Sequence, residues 1–94
     1  MRKYELMFIL RPDLEQDAVN AQVEKFAGII QNGGEIVKQE VLGKRRLAYE
    51  IQKQREGIYV LYVFHATPDV VKELDRVLRI SDEVIRHLIV KDVA

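Results

Sequence analysis

Apolar and polar residues alternate over residues 3–10 with the two-residue period of a β-strand. The face that we expect to be buried consists of Tyr4, Leu6, Phe8 and Leu10. Pro12 has no amide hydrogen to donate to a sheet ladder, so the strand must end before it. The pattern therefore predicts a first strand over residues 3–10.

The next segment changes to a helical period, with apolar residues three and four positions apart. The residues of this stripe are Val19, Val23, Phe26 and Ile30. Asp13, with Gln16 three residues later, has the pattern of a capping box and predicts where the helix begins. Gly33 and Gly34 predict its end, because glycine adopts the left-handed C-cap conformation without steric cost.

Two strands joined by a polar segment follow the helix. Residues 35–49 predict a long second strand, in which Gly43 indicates a bulge or a bend. The polar residues 52–57 predict a hairpin loop, and the charges of Lys53 and Arg55 are interpreted as ordinary loop charges. Residues 58–65, the most apolar segment, predict the third strand. Its two faces are Ile58, Val60, Tyr62 and Phe64 on one side, and Tyr59, Leu61, Val63 and His65 on the other.

A second helix is predicted to begin at Thr67, with Pro68 at its first position, and to end at Ser81 and Asp82. Its apolar stripe consists of Val70, Val71, Leu74, Val77 and Leu78. Residues 84–91 predict a fourth strand, and residues 92–94 a short end. The element order β-α-β-β-α-β is typical of the ferredoxin-like fold, an α+β class with a four-stranded antiparallel sheet. Right-handed crossovers place both helices on one face of that sheet.

The other face of the sheet is predicted to be open and unusually apolar. In this fold the first and third strands are central, so side chains opposite the helices point outward there. These residues are Met7, Ile9, Tyr59, Leu61 and Val63. An exposed apolar patch normally marks an interaction site, and we therefore expect a protein partner on this face. Two alternatives stay open, namely that a loop covers the face or that the two faces are reversed.

Composition narrows the class of protein further. The 94 residues fit one domain spanning 1–94, and 48% hydrophobic with 32% charged residues is typical of a globular chain. No apolar run is long enough for a membrane span or a signal peptide. Cysteine is absent, which excludes disulfides and thiolate chemistry. Because 15 basic residues balance 15 acidic ones, any RNA binding must use a local basic patch or a basic partner.

The densest group of basic residues is Lys44, Arg45 and Arg46. In a strand, Lys44 and Arg46 point to one side and Arg45 to the other. Arginine contacts phosphate with two hydrogen bonds, so these side chains are candidates for RNA backbone contacts. Further candidates lie at the start of the chain and in the fourth strand: Arg2, Lys3, Arg86 and Lys91. For any single residue, an ordinary solvated charge is an equally good interpretation.

Several colinear segments resemble one known family, the bacterial ribosomal protein S6 family of the small subunit. Residues 43–51 (GKRRLAYEI) look like its signature. The other matching segments are residues 1–5 (MRKYE), 11–14 (RPDL), 57–60 (GIYV), 78–80 (LRI) and 84–91 (VIRHLIVK). Each motif alone is weak, but together they cover essentially the whole chain in the same order.

This resemblance implies a ferredoxin-like fold and a structural role without enzymatic activity or cofactor. It implies binding to the central domain of 16S rRNA as a heterodimer with the small basic ribosomal protein S18, on the cytoplasmic ribosome. The family signature implicates the arginine pair Arg45 and Arg46. It does not decide which of the two contacts RNA and which contacts the partner.

Two other classes of function are alternatives to a structural RNA-binding protein. An RNA-recognition module stacks bases on several aromatic residues of its open sheet face, but only Tyr59 is well placed here. A ligand-binding or enzymatic dimer could pair its apolar sheet faces, but the sequence offers no convergent polar group for a pocket. The histidines, His65 and His87, have no metal-ligand spacing, and the single serine and threonine are helix-boundary residues.

Overall fold

The computed structural model describes residues 1–91, and its elements follow the order β-α-β-β-α-β. The strands are β1 (Arg2–Leu10), β2 (Gly34–Ile51), β3 (Gln54–Ala66) and β4 (Val84–Lys91). The helices are α1 (Gln16–Gln31) and α2 (Pro68–Ile80). The predicted order is confirmed. The short end predicted for residues 92–94 lies outside the described residues.

The four strands form one antiparallel sheet in the order β2-β3-β1-β4. Strand β1 pairs with β3 from Arg2 opposite Ala66 to Leu10 opposite Ile58. On its other side β1 pairs with β4, beginning at Tyr4 opposite Lys91. The prediction that the first and third strands are central is confirmed, and these two strands carry the most completely buried side chains.

Both helices pack on one face of the sheet and close a single main core. Phe8 lies at its centre, with its ring centroid 5.0 Å from that of Phe26 on α1 and 6.0 Å from that of Tyr62 on β3. The largest side chains with less than 2% exposure are Leu6, Phe8, Leu10, Phe26, Ile30, Val60, Tyr62, Phe64, Leu74 and Leu78. Burying one such side chain contributes about 1.5–3 kcal/mol, so the predicted apolar stripes account for the packing of the layers.

The residues predicted to cap the two ends of α1 are not its capping residues. Glu15, not Asp13, is the N-cap residue, and no side-chain hydrogen bond caps the helix. At the other end Asn32 is the C-cap residue in right-handed conformation, and neither Gly33 nor Gly34 has a positive φ. Gly34 is needed for a different reason, since a Cβ there would lie 2.3 Å from the backbone oxygen of His65.

The hairpin between β2 and β3 is much tighter than the predicted loop over residues 52–57. Only Gln52 and Lys53 turn, with φ values of 49° and 65°, and β3 already begins at Gln54. Positive φ at both central residues is the geometry of a type I′ turn, whose twist matches the flanking strands. The predicted irregularity at Gly43 is confirmed, since its φ is 90° and the register shifts between Val41 and Gly43.

Beyond the end of β1, strands β2 and β3 continue as a two-stranded ribbon, here called the distal ribbon (residues 45–56). The distal ribbon covers one end of the outer sheet face. Leu47 is buried there with Ile9 and Ile85 in a second small cluster, against which Ile51 and Tyr59 pack. The expectation that Ile9 is exposed was therefore wrong, since only 7% of it is accessible. A paired strand ribbon, and not the loop of the open alternative, covers this end of the face.

Candidate nucleic-acid and partner interface

The part of the outer face that remains open carries apolar residues on three strands, here called the outer patch (Met7, Leu61, Val63, Leu88 and Val90), with Glu5 between Val63 and Val90. Met7 lies opposite Leu61 on one side and Leu88 on the other, so that one apolar row crosses three strands. Leu88 is 59% exposed, Val90 40% and Met7 36%. Leu61 and Val63 are half-buried. Open faces of antiparallel sheets are usually polar, so this surface has the character of an interaction site.

The structure divides the residues that the sequence assigned to a protein partner. Met7, Leu61 and Val63 lie together in the outer patch, whereas Ile9 and Tyr59 belong to the cluster beneath the distal ribbon. Leu88 and Val90 are new members. Their strand is apolar on both faces, so its alternation alone did not show which side chains point outward. The pairing of β4 with β1 decides this, because paired residues share a face.

The basic group Lys44, Arg45 and Arg46 lies where the distal ribbon begins. Arg45 pairs with Gly57 and faces outward, while Lys44 pairs with Ile58 and Arg46 with Glu56 on the helix side. The predicted alternation of these three side chains is thus confirmed. All three are exposed, and within residues 1–91 no acidic group lies at ion-pair distance from any of them. Their charges are therefore available to an external anion.

Two further arginines join this end of the sheet. Arg86 of β4 faces outward, donates a hydrogen bond from Nη1 to the hydroxyl of Tyr49, and lies 6.0 Å from the centroid of that ring. Arg55 and Arg46 line a shallow cleft of about 250 Å³ together with Tyr49 and neighbouring ribbon residues. Arg55, which the sequence predicts to be an ordinary loop charge, lies within β3, because the turn consists of Gln52 and Lys53 alone.

The other predicted basic residues do not belong to this group. Arg2 and Lys3 pair with Ala66 and His65, and Lys91 lies opposite Tyr4, all at the opposite end of the sheet. At about 3.4 Å per residue, the nine residues of β1 hold the two ends about 25–30 Å apart. Lys3 points to the outer face, whereas Arg2 and Lys91 lie on the helix side of the sheet. The seven predicted basic residues therefore form two separate groups.

The two arginines of α2 are paired with carboxylates. Arg76 Nε lies 2.6 Å from Glu73 Oε1, and this hydrogen bond holds the pKa of the Glu73 carboxyl below its ordinary value. Arg79 Nε lies 3.0 Å from Asp75 Oδ2, and the other oxygen of Asp75 is 2.8 Å from Nε2 of His87. The charges of these α2 side chains are used within the protein, whereas those of Lys44, Arg45 and Arg46 are available to an external anion.

The described residues form neither a metal-binding cluster nor a membrane-spanning helix. Within residues 1–91 no three His, Asp or Glu side chains lie close enough together to hold a metal ion. None of the helices described is both long and apolar enough to cross a bilayer. His87 is bonded to Asp75 and joins β4 to α2, as expected of a histidine with a structural role.

Comparison with known proteins gives consistent matches over nearly the whole chain. A family model described as ribosomal protein S6 matches residues 3–91. The small ribosomal subunit protein bS6 of Clostridium kluyveri is 55% identical over 93 residues, which cover 98% of both chains. The protein of the same name from Moorella thermoacetica is 53% identical over 92 residues, covering 97% of this chain and 94% of that relative.

The fold agrees with these matches. The crystal structure of 30S ribosomal protein S6 from Thermotoga maritima superposes with a TM-score of 0.92 at 34% identity, covering 97% of this chain and 87% of that chain. The match therefore includes both helices and all four strands of the sheet. On this evidence the chain belongs to the ribosomal protein S6 family, whose members are structural proteins of the small ribosomal subunit and not enzymes.

Proposed function

We propose that this protein binds the central domain of 16S rRNA together with ribosomal protein S18, using two different surfaces. The basic group at Lys44, Arg45 and Arg46, with Arg86, contacts RNA phosphates, and the outer patch contacts S18. The observation that carries this proposal is the combination of exposed cations that have no acidic partner within residues 1–91 and an apolar row beside them.

The RNA half of the proposal is supported by charge. The whole chain has no net charge, so only a local group of cations can attract a polyanion. Arg45 and Arg46 present planar guanidinium groups that match the geometry of phosphate oxygens. Arg2, Lys3 and Lys91 remain predicted RNA contacts at the far end of the sheet, where they would have to reach a separate stretch of RNA.

The partner half of the proposal is supported by the outer patch. Exposed and half-buried apolar side chains of three strands form one row at Leu61, Met7 and Leu88, and desolvating such a surface is favourable when a complementary surface covers it. A basic partner would also supply the positive charge that this neutral chain lacks. Base stacking on the sheet is a weaker alternative, because Tyr59 is packed into the cluster beneath the distal ribbon.

The first test measures binding to a 16S rRNA central-domain fragment, with and without S18, at two salt concentrations. We expect tight, salt-sensitive binding when both proteins are present. Replacing both arginines, Arg45→Ala with Arg46→Ala, should weaken this binding by about ten-fold or more while the domain stays folded. Since each lost phosphate contact removes about 0.7–0.9 from the slope of log affinity against log salt, the salt dependence should fall as well.

A matched control is the double variant Arg76→Ala with Arg79→Ala. It removes the same charge from α2, where both arginines are already paired with carboxylates. We expect its RNA affinity and salt dependence to stay close to those of the wild type. Equal effects of the two double variants would show that only net charge matters, and unchanged binding of the Arg45 and Arg46 variant would refute their assignment.

A further inference from the structure

Tyr49 joins the distal ribbon to the opposite edge of the sheet. Its side chain is 60% exposed, yet its hydroxyl accepts a hydrogen bond from Arg86, 37 positions later in the chain. The guanidinium of Arg86 also lies 6.0 Å from the centroid of the Tyr49 ring, at the distance of a cation–π contact. An exposed tyrosine thus connects the extension of the edge strand β2 to the other edge strand, β4.

The small cluster beneath this contact fixes the same part of the ribbon. Leu47, two residues before Tyr49, is buried against Ile9 and Ile85. Arg45 and Arg46 come immediately before Leu47, so the backbone that carries them is held by its burial. Without this support the distal ribbon would be a two-stranded hairpin beyond the end of β1, and such hairpins are only marginally stable in water.

We propose that Tyr49 is a positioning residue for RNA binding, which with Leu47 and Arg86 holds the distal ribbon against the sheet. This inference rests on the proposed RNA-binding function. A ribbon that is ordered before binding presents Arg45 and Arg46 in a fixed geometry and avoids the entropy lost when a mobile segment is ordered by its ligand. Arg86 has five N–H donors, so its bond to Tyr49 leaves others for a phosphate.

The test compares Tyr49→Ala and Tyr49→Phe with the wild type in the full chain. Amide hydrogen exchange of residues 45–56 is measured on the free protein, and rRNA-fragment affinity is measured with S18 at two salt concentrations. In Tyr49→Ala we expect ribbon exchange to be about ten-fold faster and affinity about three- to ten-fold weaker. The salt dependence should not change, because Arg45 and Arg46 still reach the phosphates. Tyr49→Phe keeps the ring and should fall between the two.

The Arg45→Ala and Arg46→Ala double variant is the complementary control. It should lower the salt dependence while ribbon exchange stays as in the wild type.

Unchanged ribbon exchange in Tyr49→Ala would overturn the inference, because an affinity loss would then come from direct contact between Tyr49 and RNA. Faster exchange with full affinity would overturn it too, as would a reduced salt dependence. If the wild type itself fails to bind the fragment, the proposed function fails, whereas normal wild-type binding with an unaltered ribbon in Tyr49→Ala refutes only the role of Tyr49.

Discussion

At the scale of single residues, the surroundings of two glycines, Gly28 and Gly34, give them different roles in stability. Gly28 lies in the middle of α1, and a Cβ built there has no neighbour within 4 Å. Gly34 opens β2, where a Cβ would lie 2.3 Å from the backbone oxygen of His65 and 3.0 Å from that of Ile30. Backbone atoms cannot move aside as the end of a flexible side chain can, so of these two positions only Gly34 requires glycine.

The two glycines therefore give opposite predictions for the same substitution. Gly34→Ala should destabilise the protein by about 1–3 kcal/mol, because it forces β2 away from β3 and α1. Gly28→Ala should stabilise it by about 0.5–1 kcal/mol, since alanine has the better helix propensity and nothing obstructs its methyl group. Urea unfolding of both variants measures the two free energies of unfolding, and two changes of the same sign would contradict this account.

At the scale of elements, the sheet and α1 are joined by a polar contact inside the apolar core. Tyr62 of β3 is fully buried, and its hydroxyl donates a hydrogen bond to the backbone oxygen of Val23 on α1. Burial raises the pKa of this phenol well above its ordinary value, since the phenolate would lose its hydration. The phenol therefore stays protonated in the folded protein at pH values where it ionises in the unfolded chain.

This shift gives stability a defined dependence on pH. Above about pH 10, the ordinary tyrosine pKa, the unfolded chain releases the Tyr62 proton while the folded protein keeps it. Unfolding is thereby favoured, and the wild type should lose up to about 1.4 kcal/mol of stability per pH unit relative to Tyr62→Phe. Near pH 7, in contrast, the wild type should be the more stable protein, because Tyr62→Phe lacks a hydrogen bond worth about 1 kcal/mol. Urea unfolding at pH 7 and at pH 10–11.5 checks this, and parallel curves for the two proteins would contradict it.

At the scale of the whole molecule, the two faces of the sheet differ in how completely they are covered. One face is covered by α1 and α2. The other face is covered at one end by the distal ribbon, and the rest of it exposes the outer patch. The cations at Arg45 and Arg86 lie on this same outer face, toward the end that the distal ribbon covers. A partner seated on the outer patch would therefore lie next to RNA bound at the basic group, which favours joint rather than independent binding.

A charged substitution in the outer patch tests this arrangement. Leu88→Asp should weaken S18 binding by about ten-fold or more while stability changes by less than about 0.5 kcal/mol, because Leu88 is exposed in the free chain. Leu61→Asp should act in the same direction with a larger stability cost, as Leu61 is half-buried. Ile80→Asp, at the end of α2 and 66% exposed, is the control and should bind S18 normally. Calorimetric titration measures each affinity, and equal binding by Leu88→Asp and Ile80→Asp would remove the outer patch from the interface.

Much of the fold could be predicted because its signals are local. The alternation at Leu6 and Phe8 and the helical spacing of Phe26 and Ile30 are properties of neighbouring positions, and burial in one core requires them. Local signals failed where an exposed strand and a loop have the same polar composition. The exposed strand residues of the distal ribbon are as polar as a loop, so the start of β3 at Gln54 was placed four residues too late.

The sequence by itself determined the element order, the alternating faces of β1 and β3 and the basic group that begins at Lys44, since each depends on residues close together in the chain. The central position of β1 and β3 was expected from the fold that this element order indicates, and the pairing of residues about 50–60 positions apart establishes it. Only the tertiary structure decided which outward side chains remain accessible. Ile9 is covered because the ribbon carrying Leu47 folds back over it, and Leu88 is exposed because β4 pairs with β1 in one particular register. Both facts depend on contacts between segments more than 35 residues apart, where strand register and ribbon twist, rather than local pattern, determine which side chains meet.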